Sequence, residues 1–386
     1  MDRAESSGLS KHNILLTVTT VLVMLTACEL VLRWLAPIGD PFFSRNEPFI
    51  SLTLYPDARI LPNTTSPARF TTDEKGFRVS HSIDYSHKPS HVIRIFLIGG
   101  STTESWFIDD RHTFGALLEQ RLNRDLAKQE LEAEVINAAR GGVASADHYY
   151  VAHEVMGYDP DLVIHLMGIN DLTPYLNRGF RFEASKTKAL IRNALTSIQL
   201  SRRAVLLYRL QRYKGKVVRD YTGAERIKAR QENAQKPLRP MPAEALIIPE
   251  SYSHNLELLL DLHRRHHVRA IFMTQPTLWK EHMSQELENL LTSNPGVLPV
   301  RYAPGEMDIL MERYNDVMRA SVERAGQPFY LLDLSRLLPK DMTTFYDDCH
   351  FNNPGHERIA EALRQTLLNS VLPSVIAARS STSPTN

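Results

Sequence analysis

Five positions carry side chains or backbone groups that together could transfer an acyl group. Ser101 stands at the end of Ile95-Phe-Leu-Ile-Gly-Gly-Ser101, behind an apolar run and two glycines. Asp347 and His350 stand three apart in Tyr346-Asp-Asp-Cys-His350, and Gly142 and Asn170 lie between these blocks. Cleaving an ester through a covalent intermediate needs a nucleophile, a base, a group that orients the base, and donors for the developing oxyanion. Ser101 can attack, with the glycines before it letting a carbonyl come close. Histidine is the side chain whose proton affinity lies nearest neutrality, which makes His350 the natural base. Asp347 can hold its imidazole. The Gly142 N–H, the Asn170 amide and the Ser101 N–H can form a three-donor oxyanion hole.

Competing assignments exist at each position. Ser101 could be a plain turn residue, Asp348 could replace Asp347, and Gly141 could replace Gly142, since adjacent glycines are hard to rank. Glu104 reads as a cap for the following segment rather than an acid. Cys349 has His350 as a sequence neighbour, which gives no nucleophile–base geometry, and His356 falls inside a helix.

The elements that must position these groups alternate. Residues 92–100, 133–142, 161–168, 268–276 and 328–335 read as strands, the first an apolar run but for Arg94 and suited to burial on both faces. Residues 113–127 and 144–158 have helical spacing, and 353–372 form a closing amphipathic helix with Asn353 as N-cap and Pro354 at the first position. Such alternation implies a parallel sheet with helices on both faces, and ligands in such sheets sit beyond the carboxyl ends of the strands. Ser101, Gly141-Gly142 and Gly168-Ile-Asn-Asp171 all fall at expected strand ends.

These blocks resemble the SGNH/GDSL hydrolase superfamily over about residues 92–372. Gly99-Gly100-Ser101-Thr102 is similar to its nucleophile block, Asn137-Ala-Ala-Arg-Gly-Gly142 to its glycine block, Gly168-Ile169-Asn170-Asp171 to its G-x-N-D and Asp347-Asp348-Cys349-His350 to its D-x-x-H. The commonest first block is G-D-S, and here Gly100 replaces the aspartate. The resemblance implies a flavodoxin-like doubly wound, three-layer α/β/α sheet of five parallel strands. It implies a serine hydrolase of ester (O-acyl) bonds in a lipid or carbohydrate, with Ser101, Asp347 and His350 catalytic, Ser101, Gly142 and Asn170 at the oxyanion, and no cofactor or metal. Two other readings stay open: an O-acyltransferase acting on an envelope polysaccharide, and a non-catalytic anchored module that binds glycan or lipid.

The remaining segments set the context. Residues 14–28 carry no charge and continue as ELVLRWLAP to Pro37, long enough with that extension for a bilayer span. Glu29 and Arg33, four apart, can pair on one helix face, and Trp34 suits an interface. Residues 1–37 read as an N-terminal tail plus an uncleaved signal anchor, with the membrane met through 14–36, because no good A-x-A cleavage site follows. A cleaved signal and a lipoprotein signal at Leu25-Thr-Ala-Cys28 compete with it. The flanking charges tie, Arg3 and Lys11 before against Arg33 and Arg45 after. Anchored relatives imply an extracytoplasmic, periplasmic catalytic domain.

Residues 38–91 read as an irregular arm with short strands. About 172–249 form a basic helical insertion, with 17 Lys/Arg against 4 Asp/Glu from Arg178 to Arg239. It reads as a solvated cap, or as a lid or surface meeting anionic headgroups or glycan. With a net charge of +1 and no motif, nucleic acid is not expected as a partner. The cluster His263-Arg-Arg-His-His267 reads as an exposed helix end rather than a metal site, and 373–386 as a disordered tail. Cys28 and Cys349 are too differently placed for a disulfide, and no CxxC occurs.

Overall fold

The computed structural model describes residues 11–35, 46–177, 197–213, 220–292 and 299–382. The chain divides into two compact units, one of residues 1–43 with 184–218 and one of 44–183 with 219–386.

In the first unit, helix α1 (Lys11–Leu35) includes Asn13–Leu35, which is long and apolar enough to cross a membrane and has a mean hydropathy of 2.2. The spacing of Glu29 and Arg33 does produce their ion pair, at 2.7 Å.

The second unit opens with a small hairpin of β1 (Ser51–Leu54) and β2 (Ala68–Thr71). Then come β3 (Val92–Gly99), a single helical turn α2 (Ser101–Glu104), α3 (Phe114–Leu126), β4 (Glu132–Asn137), α4 (Ser145–Val155), β5 (Leu162–Leu166) and α5 (Ile169–Asn177). In the first unit's part of the insertion lies α6 (Gln199–Tyr213). The second unit resumes with α7 (Ala224–Gln235), α8 (Glu250–Arg265), β6 (Arg269–Met273), α9 (Pro304–Ala325), β7 (Phe329–Leu332), α10 (Asn353–Thr366) and α11 (Leu372–Thr382).

The five strands β3 to β7 are parallel, in spatial order β4-β3-β5-β6-β7. This is the doubly wound 2-1-3-4-5 order, with the switch point between β3 and β5. The strand pleat sorts β3 by parity. Ile93, Ile95 and Leu97 join Phe114, Leu118 and Leu122 of α3 and Ile359 and Leu363 of α10 in one core. Helices α4, α8 and α9 pack together on the opposite face. That face contains an unusual buried chain of imidazoles. His165 Nδ1 lies 3.2 Å from His148 Nδ1, and His165 Nε2 lies 2.9 Å from His263 Nε2. His263 is thus drawn into the core, and only the remainder of its basic cluster is the exposed helix end that the sequence suggests. Burial pushes His148 and His263 down to about 3.

Three other expectations change. The second parallel strand stops at Asn137 rather than Gly142, because the Asn137 side chain accepts from the Ala139 N–H and donates to the Thr103 carbonyl, bending the chain out of the ladder. The N-cap of α10 is Asn352, whose side chain accepts from the Gly355 N–H, rather than Asn353. The tail is helical through Thr382 instead of disordered from 373. Leu367, Val371, Leu372 and Val375 continue the buried stripe. Pro373 follows a π-helical turn over Leu367–Val371, whose wider spacing tolerates a missing N–H donor.

Candidate active site

Strand β3 ends at Gly99, and Ser101 begins α2 immediately afterwards, with Gly100 as the N-cap. The first N–H groups of a helix lack intrahelical partners, and the Ser101 N–H makes no backbone hydrogen bond among the described residues. The turn is closed by Thr103 N and Glu104 N, which both donate to Gly100 O. A Cβ at Gly99 would fall 2.1 Å from Thr103 Oγ1, so this residue must be glycine for the turn to close.

The Asp347–His350 segment reaches the same place from the far end of the chain. His350 Nε2 lies 2.8 Å from Ser101 Oγ. His350 Nδ1 lies 2.8 Å from Asp347 Oδ1 and 2.9 Å from Oδ2. The backbone N–H groups of Cys349 and His350 also donate to Asp347 Oδ1, at 3.1 and 2.9 Å. The Tyr346 ring stacks on the imidazole, 5.6 Å between centroids and 5° from parallel. Asp347 is buried, which alone would raise its pKa; the charges of His350 and Arg226 and the hydrogen bonds from His350 outweigh this and hold it far below the usual carboxylate range.

Asp348 is spent elsewhere. Its carboxylate accepts from Thr292 N, Thr292 Oγ1 and Trp279 Nε1, and burial next to Asp347 pushes its pKa up to about 6. His356 Nδ1 accepts from the Phe114 N–H inside the core. Cys349 is buried, and burial pushes its thiol well up. Asp347, Cys349 and His350 offer O, S and N atoms within 4.8 Å of one another, a spacing a metal could use. However, His350 Nδ1 and both Asp347 oxygens already satisfy each other, and the thiol resists deprotonation, so this donor set fits a metal poorly.

The two inner blocks converge on Ser101. Gly141 lies so that an added Cβ would sit 3.7 Å from Ser101 Cβ. Its N–H donates to Glu104 Oε2 at 2.9 Å, which separates the adjacent glycines: the Gly142 N–H makes no hydrogen bond among the described residues. Gly142 has φ +83°, and a Cβ there would meet nothing within 4 Å. Glu104 therefore anchors this loop rather than capping the segment after α2. Burial raises its pKa, against opposition from Asn46 and the Gly141 N–H. Asn170 Nδ2 donates to Val143 O at 2.9 Å, which leaves its second N–H for another acceptor. A Cβ on Gly100 would fall 2.1 Å from that same Nδ2. In this chain the Asn170 amide thus occupies the space that a side chain at position 100 would take. Asp171 accepts from Ser145 N and Oγ and ties α5 to the start of α4.

Three arginines complete the site, and none is distinguished in the sequence. Arg226, on α7 of the insertion, places Nε 3.2 Å from Asp347 Oδ2. Arg230, one turn on, donates to the Tyr346 and Ile60 carbonyls. From the arm, Arg78 donates to the carbonyls of Glu104, Ser105 and Ile108 at 2.6 to 2.9 Å, pairs with Asp110 and lies 4.4 Å over the Phe70 ring. Its backbone exchanges two hydrogen bonds with Asn137 at the end of β4. Arg78 therefore clamps the C-terminal end of the nucleophile turn and the glycine block together. Ser105, the αL residue that ends this turn at φ 60°, lies under the clamp.

A family model described as GDSL-like Lipase/Acylhydrolase matches residues 97–358. Among solved structures, the chain is similar to LAE5, an alpha/beta hydrolase enzyme from the metagenome of Lake Arreo, Spain, at 18% identity over 72% of this chain and 97% of that one, with a TM-score of 0.42. It is similar to TesA at 14% identity over 71% and 97%, TM-score 0.39. It is also similar to Axe2, an acetyl xylan esterase from Geobacillus stearothermophilus, at 14% identity over 71% and 93%, TM-score 0.40. No curated protein matches the chain.

Proposed function

The chain belongs to the GDSL-like lipase/acylhydrolase family and is a hydrolase of ester bonds, and from that premise we propose that Ser101, His350 and Asp347 carry the reaction. The observation that carries this reading is the position of His350, with one ring nitrogen 2.8 Å from Ser101 Oγ and the other 2.8 Å from Asp347. Asp347 keeps the proton on Nδ1, so Nε2 faces the serine as an acceptor. Ser101 Oγ attacks the ester carbonyl and gives its proton to Nε2. The carbonyl oxygen becomes an oxyanion, met by the N–H groups of Ser101 and Gly142 and the free N–H of the Asn170 amide. When the tetrahedral adduct collapses, the C–O bond to the alcohol breaks and His350 returns the proton to it. Water then enters, loses a proton to His350, and attacks the acyl-serine; collapse releases the acid and regenerates Ser101.

The substrate class in this reading is an O-acylated lipid or carbohydrate, and α1 anchors the enzyme in a membrane with the catalytic unit outside the cytoplasm. The test is labelling of the full chain with a fluorophosphonate serine probe. The expected result is one adduct on wild type and none on Ser101→Ala. An adduct that persists on Ser101→Ala, or none on folded wild type, rejects the assignment. Acyl transfer to an added polysaccharide acceptor would make the enzyme a transferase built on the same acyl-serine.

A further inference from the structure

We propose that helix α6 lies in the headgroup layer of an anionic bilayer, docked to the membrane-crossing helix α1 through Glu29. The starting point is an acid at the end of an apolar segment. Residues 14–28 are uncharged, and Glu29 comes next. From Asn13 to Glu29 a helix rises about 24 Å, most of a hydrocarbon core of about 30 Å. Glu29 therefore sits near the edge of the apolar slab. A carboxylate at that depth is costly unless it is paired, so its partners explain its presence.

Three donors meet it. Arg33 Nε donates to Oε1 at 2.7 Å, Gln199 N to Oε1 at 2.8 Å and Leu200 N to Oε2 at 3.0 Å. The last two are N–H groups of the first turn of α6, which lack partners inside their own helix and form its positive end. Arg33 also donates to the Ser197 carbonyl, just before α6 begins. One carboxylate thus caps α6 and fixes its start at the depth of Glu29.

The composition of α6 suits that depth. Its sequence QLSRRAVLLYRLQRY has four arginines and no acid. Leu207 is 66% exposed and Tyr208 59%. Arginines interleaved with exposed leucine and tyrosine are the composition of helices that lie in a bilayer interface, with apolar atoms in the acyl boundary and guanidinium groups at the phosphates. Glu29 lies towards the C-terminal end of α1, so the start of α6 that it caps is held on the side where α1 ends.

The experiment uses the full chain in vesicles, with Cys28→Ser and a fluorophore on Leu207→Cys; Cys349 is buried and does not compete. The vesicles are phosphatidylcholine with or without phosphatidylglycerol, and the quenchers are brominated lipid and aqueous acrylamide. Leu337→Cys, 55% exposed in the other unit, is the aqueous control. The expected result is quenching of the Leu207 label by brominated lipid, strongest with phosphatidylglycerol, while the control responds only to acrylamide. Arg202→Gln and Arg203→Gln, which keep the cap, should each weaken the phosphatidylglycerol dependence about five-fold. Glu29→Gln should release the label to acrylamide while α1 stays resistant to carbonate extraction. A Leu207 label as open to acrylamide as the control in both vesicle types overturns the proposal. So does protection by a soluble polyanion that vesicles do not give. Extraction by carbonate would reject the anchor itself, and neither readout depends on esterase activity.

Discussion

Arg226 Nε lies 3.2 Å from Asp347 Oδ2, so the carboxylate that faces His350 also faces a cation from the insertion. The insertion is therefore part of the site's electrostatics and not only a cap on its surface. Burial raises the proton affinity of Asp347, and the His350 and Arg226 charges more than reverse this. A depressed carboxylate contributes stability that is fully present above its unfolded value, about pH 4, and lost as the pH falls towards its lower folded value.

Arg226→Gln should accordingly move acid unfolding to higher pH. It should cost about 1–2 kcal/mol at neutral pH, a discounted figure because the Arg226 side chain is 28% exposed. It should also lower kcat about tenfold with KM steady, since the group lost orients rather than binds. Arg226→Lys should restore most of the acid stability. Acid titration followed by circular dichroism and ester kinetics check both halves; an Arg226→Gln enzyme with unchanged acid unfolding would contradict the ion pair.

Asn170 and Gly100 should fail together. Asn170→Ala should lower kcat by about 10² to 10³, the usual size for one oxyanion donor. Gly100→Ala keeps the amide but places a Cβ 2.1 Å from its nitrogen, so it should reproduce most of that loss. In the double variant the two effects should not add. A Gly100→Ala enzyme of full activity would remove Asn170 from the proposed oxyanion hole.

Glu104 should matter through Gly141. Glu104→Ala frees the Gly141 N–H and unpins the loop that carries Gly142, and is expected to lower kcat about 10-fold or more without raising KM. Glu104→Gln keeps an acceptor and should recover much of the rate. By contrast Gly142→Ala meets open space and suffers only the strain of φ +83°, about 1–2 kcal/mol. Parallel kinetics and urea unfolding of the three variants separate loop position from stability.

Asp171 should make the fold sensitive to pH near neutrality. Burial pushes its carboxyl up to about 7, against the bonds from Ser145. An acid raised in the folded state holds its proton more tightly there than in the unfolded chain. Its contribution to stability is full below about pH 4 and is lost as the pH rises through 7. Asp171→Asn should therefore flatten the stability profile between those limits by a few kcal/mol, on the order of 1.4 per pKa unit. Urea unfolding of both proteins across that range checks it; parallel profiles would mean that Asp171 is ionised throughout.

What the sequence made legible has a physical pattern. The alternation of apolar runs and amphipathic spacings marks every strand of the sheet, because burial on both faces leaves a local composition. Ser101, Asp347 and His350 are legible because each needs its neighbours in fixed local geometry: two glycines in one case, a three-residue spacing in the other. Arg78 and Arg226 are not, since any arginine in a basic or irregular stretch looks alike until tertiary packing selects one. The choice between Gly141 and Gly142 was open for the same reason, and depends on where the Glu104 carboxylate ends up. The end of β4 is hidden in the sequence because Ala138 and Ala139 extend an apolar run that the Asn137 side chain interrupts. The helix at the tail is hidden because Pro373 and the Ser/Thr run conceal a buried Val375.

The clamp formed by Arg78 bears on what counts as the smallest working enzyme. The stretch that carries the family signature starts at residue 97 and stops at 358. A protein cut to those limits would lose the guanidinium that gathers the Glu104, Ser105 and Ile108 carbonyls, and with it the hairpin whose Phe70 ring supports that cation. It would also lose the buried residues Leu363, Leu367 and Val371 from beneath α3 and β3. The signature stretch holds the reacting groups, whereas the rigidity of the nucleophile turn is supplied by the arm before it. An expression boundary drawn by homology alone would cut between the nucleophile turn and the residue that braces it, and a version without α1 has to begin ahead of the β1–β2 hairpin.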